Sequence, residues 1–197
     1  MSVLPSLDRR ILAIALPSIV SNITVPLLGL VDVAVTGHMG ADGDTVGALP
    51  ASYYVGAIAV GGMLFNIIYW MFGFLRMGTG GETAQAWGRR DLDGVVLLLV
   101  RSLLLALVLA LGLMALSPLV RDGALWYIAP EAEVASLART YFNICIWGAV
   151  PALGLFAMNG WYIGMQNSRF PMIVAIGQNL LNIACSIFFV YALGMRI

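Results

Sequence analysis

The 197-residue chain is 61% hydrophobic and only 10% charged, with a mean hydropathy of +0.94, whereas a soluble domain carries about 25% charged and about 45–50% apolar residues. This excess excludes a soluble enzyme, a disordered chain and a nucleic-acid binder. All ten basic residues are arginine, which removes lysine chemistry, and ten Asp and Glu balance them, so the net charge is zero and no polyanionic partner is implied.

What remains is a polytopic membrane protein. A hydrocarbon core of about 30 Å needs about 20 helical residues, and about five blocks of that length follow in order. The first predicted span runs over residues 11–36. It follows Asp8-Arg9-Arg10 and is too long for a signal-peptide core, so it is read as an uncleaved membrane helix. The second covers 46–75, after the turn Gly37-His38-Met39-Gly40-Ala41-Asp42-Gly43-Asp44. The third covers 92–116, after a polar loop that Arg89-Arg90-Asp91 closes, and Ser117-Pro118 is expected to end it. The fourth covers 134–165. The fifth covers 171–193, with Ser168 as a candidate helix cap and Pro171 in the first turn. Runs such as VVLLLV (95–100) do not alternate, so a β-barrel is disfavoured. The expected fold is an all-α transmembrane helix bundle.

Arginine placement sets the orientation. With the N-terminus inside, Arg9, Arg10, Arg76, Arg89, Arg90 and Arg169 face the cytoplasm. Arg121, Arg139 and Arg196 lie opposite, with Asp42, Asp44, Asp122, Glu131 and Glu133. The positive-inside rule therefore predicts an N-terminus in the cytoplasm. Arg101 lies within the third span and is expected to snorkel or to pair within the bundle.

Asp32 is the most informative residue. It sits in the first span, and a carboxylate there is costly unless it faces the bundle interior or a water-filled cavity. Burial favours its protonated form, which suits a proton carrier or a cation ligand. The alternative is a carboxylate reaching the outer interface. Ser18, Asn22, Val25, Gly29, Asp32 and Thr36 share one small and polar helix face. Pro17 and Pro26 each remove a backbone hydrogen bond and are candidate bends. In the fifth span Gln178, Asn182 and Ser186 follow at i, i+4 and i+8. Amides in hydrocarbon need partners, so this stripe is expected to be buried, for transport or for plain interhelical bonding. The fourth span has a comparable face through Tyr141, Cys145, Gly148, Ala152, Asn159 and Tyr162, where packing explains the aromatics as well.

Other constellations carry less. Cys145 and Cys185 lie in apolar blocks and are read as small buried residues. The lone His38 supports neither a metal site nor a catalytic triad, so no metal and no cofactor are expected. Gly78-Thr79-Gly80-Gly81 fails as a phosphate loop, because no strand precedes it and position 83 is threonine. A helix cap or a tight turn is expected there.

Three segments carry a family resemblance. PSIVSNITVPLLGLVDVAVTGHMG (17–40) resembles the first helix of multidrug and toxic compound extrusion (MATE) transporters. FGFLRMGTGGETAQAWGRRD (72–91) resembles the stretch after the second helix in the DinF branch, and NGWYIGMQNSRFPM (159–172) resembles the loop before the fifth. The resemblance implies a twelve-helix antiporter of two lobes in a cytoplasmic (inner) membrane. Protons or sodium would drive export of small organic, often cationic or amphipathic, compounds. This chain would be part of the N-terminal lobe, partnered by membrane lipids and a missing C-terminal lobe, and inactive alone. Asp32 matches the family's first-helix acidic residue, Asn182 its fifth-helix asparagine, and Tyr141 a fourth-helix cavity tyrosine. Many relatives carry an aspartate where Ser186 stands, and some a tyrosine where Leu28 stands. A single carboxylate favours proton over sodium coupling. Glu82 is unusual for the branch and has no account. The other readings are a flippase for lipids or lipid-linked precursors, which an arginine-lined cavity would support and for which only Arg101 and Arg139 are candidates, and a non-transporting membrane scaffold.

Overall fold

The structure, a computed structural model, describes residues 50–188 together with Ala15 and Ile19. The first predicted span, with Pro17, Asn22, Pro26 and Asp32, lies outside the described residues. Six α-helices follow in the described part: α1 (Ala51–Met71), α2 (Gly73–Gly88), α3 (Leu92–Ile128), α4 (Ala132–Cys145), α5 (Ala149–Gly164) and α6 (Arg169–Ile187). A single 3-10 turn, Ile146–Gly148, joins α4 to α5. No strand occurs among the described residues.

Helices α1 to α5 form three long rods. Ser52–Gly88, Leu92–Ile128 and Ala132–Gly164 are each apolar and long enough to cross a membrane. Local chemistry sets their ends. Asp91 caps α3, its carboxylate accepting from the Gly94 N–H at 2.9 Å, which satisfies one of the orphan donors of the first turn. Arg90 closes α2 in the left-handed region at φ 58. The Asp91 N–H bonds to the Ala86 carbonyl and the Arg90 N–H to that of Trp87, both at 3.0 Å, which is a Schellman ending. Gln166 repeats the device after α5 at φ 61, with Asn167 N–H to Tyr162 and Gln166 N–H to Ile163, both at 2.9 Å.

Three expectations are corrected. Ser117-Pro118 does not end a helix, since α3 runs through Pro118 to Ile128. One proline removes a single backbone bond, and the packing of Val120, Ala124 and Leu125 beyond it carries the helix on. Gly78–Gly81 is neither cap nor turn but lies inside α2. Ser168 stands before α6, yet its side chain makes no capping bond there.

Three core layers order the rods. Ala57, Leu125 and Ala138 form the first. Leu64, Phe65, Ile68, Leu113, Phe142, Ile146 and Ala149 form the second. Leu75, Ala106, Ala110, Leu153 and Ala157 form the third. Numbers rise from layer to layer in α1–α2 and in α4–α5, and fall in α3. The first and third rods therefore run parallel, with α3 antiparallel to both.

Candidate transport face

The second layer is aromatic. Phe65 stacks on Phe142 with ring centroids 4.8 Å apart and on Tyr69 at 5.8 Å. Tyr141 meets Phe65 edge-on at 6.4 Å. It is half-buried and its ring lies over Gly61, where a β-carbon would come within 2.7 Å of Cε1 and closer still to Cδ1. A glycine on α1 thus makes the slot that holds the predicted cavity tyrosine.

Below this layer the contact turns from rings to backbone. A β-carbon on Gly164 would sit 2.7 Å from the Gly80 carbonyl oxygen and 2.7 Å from Cβ of Thr83, and one on Gly80 would sit 3.2 Å from the Gly160 carbonyl. A β-carbon on Gly160 would fall on the Arg76 carbonyl. Small residues let α2 and α5 approach closely, and backbone Cα–H groups face carbonyls across the gap. Gly160-x-x-x-Gly164 is legible in the sequence as a helix-packing pattern, whereas the sequence around its partner on α2 suggests a helix cap or a tight turn. Thr83 is fully buried at this contact, and its hydroxyl has no partner among the described residues.

The predicted stripe of α6 is less enclosed than expected. Gln178 and Asn182 are exposed, as is Cys185, which corrects the expectation that they are buried. The reason is topological: among the described residues α6 packs chiefly on α5, aided by Tyr162 stacked on Phe170 at 5.2 Å. Ser186 falls within α6, but its side chain is outside the described set. Cys145 is half-buried, less enclosed than the buried residue expected. The 3-10 turn at Ile146–Gly148 breaks the register of the fourth-span face, leaving Gly148 exposed while Ala152, Asn159 and Tyr162 stay half-buried. Tyr141 is therefore held in the aromatic layer against α1, while Gln178 and Asn182 ride on a separate helix. Their relation to Asp32 and Asn22 lies outside the described residues.

The charged residues sort to the two ends. Arg89, Arg90 and Arg169 lie at the end where α2 and α5 finish and α3 begins. At the other end Arg121 bonds Asp122 at 2.9 Å and the Asn143 side-chain oxygen at 2.6 Å, and Arg139 reaches Asp122 at 3.6 Å. The cluster ties α3 to α4. Arg139 thus belongs to the end opposite Arg101, about 30 Å along α3 at about 1.5 Å per residue, so the two do not converge on one headgroup. Glu82 is exposed on α2.

The comparisons with known proteins agree with this architecture. The MatE family profile matches residues 17–188. The chain is 38% identical, over an alignment of 201 positions that covers its whole length, to DNA damage-inducible protein F of Escherichia coli. It is 27% identical over 189 residues, 95% of its length, to multidrug and toxin extrusion protein 2 of Mus musculus. Two solved structures share the fold over 94% of this chain: a MOP superfamily transporter from Pyrococcus furiosus (TM-score 0.80, 22% identity) and a MATE protein in complex with MaD3S (TM-score 0.75, 23% identity). The chain spans 41% of the E. coli protein, 31% of the mouse protein and 39% of either solved chain. A profile match across most of the chain and 38% identity over all of it settle the family: this chain belongs to the MatE family of membrane transporters.

Proposed function

We propose that the chain forms most of the N-terminal lobe of a proton-coupled antiporter that exports small organic compounds, often cationic or amphipathic, across the cytoplasmic membrane. The observation that carries this reading is the similarity over 95% of the chain to multidrug and toxin extrusion protein 2 of Mus musculus, joined to a chain that spans about two-fifths of the E. coli relative. The missing lobe supplies the rest of the cavity, and this chain alone is inactive. Sidedness supports a cytoplasmic N-terminus, since Arg89, Arg90 and Arg169 share one end while Asp122, Glu131 and Glu133 share the other.

In this mechanism Asp32 takes a proton from the outer side, with Asn182 beside it and Tyr141, Gln178, Ser186 and Asn22 lining the cavity. Protonation removes a buried charge and lets the first helix bend near Pro17 or Pro26. The inward and outward populations then shift, and substrate is released. No cofactor takes part; the coupling ion is H+, with Na+ as the alternative tested in parallel.

The test is substrate efflux by the full-length transporter in vesicles, driven by a proton gradient or a sodium gradient. Asp32→Asn abolishes proton-driven efflux while substrate binding persists. Undiminished coupling in that variant overturns the role of Asp32, and efflux that follows only the sodium gradient overturns proton coupling.

A further inference from the structure

The three rods are longer than a membrane is thick. A helix of 37 residues, the length of α3, is about 55 Å long, against a hydrocarbon core of about 30 Å. Part of the bundle must stand outside the core, and the charges mark where. On α3 the stretch 102–120 carries no charge, with Arg101 before it and Arg121 after it. That stretch is about 30 Å long, the thickness of the core.

The first rod gives the same boundary. Its apolar run ends at Leu75, and Arg76 follows. Leu75 belongs to the third core layer and half-buried Leu103 packs against that layer, so Arg76 and Arg101 lie within about two turns of each other in depth. Both are exposed. Neither forms an ion pair among the described residues, although Glu82, Asp91 and Asp93 belong to the same end. The arginines at the opposite end, Arg121 and Arg139, instead share Asp122. Exposed Phe74 and Met77 flank Arg76 and suit the boundary between chains and headgroups.

We infer that Arg76 and Arg101 bind the phosphates of anionic phospholipids in one headgroup layer, and that the α2–α5 glycine contact, with the start of α3, projects beyond the hydrocarbon core. Two guanidinium groups at similar depth match phosphate in charge and hydrogen-bond geometry. Arg89 and Arg90 lie about 20 Å further along α2, past the headgroups, and do not share the role. This rests on the membrane fold and not on the transport reading.

The experiment uses the purified protein in an uncharged detergent, followed by thermal unfolding with phosphatidylglycerol, phosphatidylcholine or inorganic phosphate added. Phosphatidylglycerol raises Tm by about 4 °C. Arg76→Gln with Arg101→Gln loses most of that shift, Arg76→Lys with Arg101→Lys keeps at least half, and Arg89→Gln with Arg90→Gln keeps all of it. An unchanged shift in the first pair, an equal loss in the Arg89/Arg90 pair, or an equal shift with inorganic phosphate alone overturns the inference. A second readout does not depend on the glutamine variants. Leu92, Val96, Leu104 and Val108 are all exposed on α3. As single cysteines in a chain without Cys145 and Cys185, in lipid vesicles, the first two react with an impermeant maleimide and the last two do not. Protection of Leu92 and Val96 equal to that of Val108 overturns it.

Discussion

The backbone carbonyl of Arg76 occupies the space that a β-carbon on Gly160 would need. The two rods therefore meet through main chain, and no side chain can be added without moving α2 from α5. Gly160→Ala is expected to destabilise the bundle by about 1–3 kcal/mol through overpacking. Gly81→Ala, one turn of α2 where nothing lies within 4 Å, serves as control and gains up to about 1 kcal/mol from helix propensity. Thermal unfolding in detergent of the two variants checks the contrast.

The slot at Gly61 makes a coupled pair. Gly61→Ala strikes the Tyr141 ring and costs about 1–3 kcal/mol. Tyr141→Ala removes the ring and with it the clash. A double-mutant cycle is expected to return a coupling of at least about 1 kcal/mol, measured by denaturation of both singles and the double. Additive losses would place the ring away from Gly61.

Ala129 ends α3 at φ 46, its N–H bonded to the Leu125 carbonyl at 2.9 Å. A left-handed residue with a β-carbon costs about 1–2 kcal/mol, part of which glycine avoids at the expense of a more flexible unfolded chain. Ala129→Gly is expected to stabilise by about 0.5–1 kcal/mol, seen as a rise in Tm with the helix content unchanged by circular dichroism.

The Trp161 indole N–H donates to the Val95 carbonyl at 2.9 Å, joining α5 to α3 near the glycine contact. Trp161→Phe keeps most of the packing and removes the donor. It is expected to cost about 1 kcal/mol and to speed hydrogen exchange in the first turns of α3 more than near Ile128.

At the start of α3 the Asp91 carboxylate holds the Gly94 N–H. Asp91→Ala is expected to cost about 1 kcal/mol and Asp91→Asn only a fraction of that, because the amide oxygen also accepts the bond. Thermal unfolding of the two variants separates capping from charge.

Much of the fold was legible in the chain. Apolar blocks of membrane length and their charged breaks come from composition along the sequence, because hydrocarbon admits only helices with satisfied backbones. Arg89-Arg90-Asp91 reads as a break, and it is one. Ser117-Pro118 reads as a break and is not, because proline's local cost is offset by tertiary contacts that the sequence does not display. Gly78–Gly81 misleads for the same reason: glycine marks turns and close helix contacts alike, and only the presence of Gly160 and Gly164 across the gap separates them.

The candidate site divides in the same way. The sequence by itself determined the class of protein, the resemblance carried by three segments, and the uniqueness of Asp32 as a carboxylate on a polar face within a predicted span, since these depend on residue type and spacing. Only the tertiary structure decided that Tyr141 rests on Gly61, that α2 and α5 touch through glycine backbone, and that Arg76 and Arg101 lie at similar depth while Arg139 stands at the other end. Those facts depend on the register between rods, and register is set by how side-chain volumes fit across helices, which no single helix records.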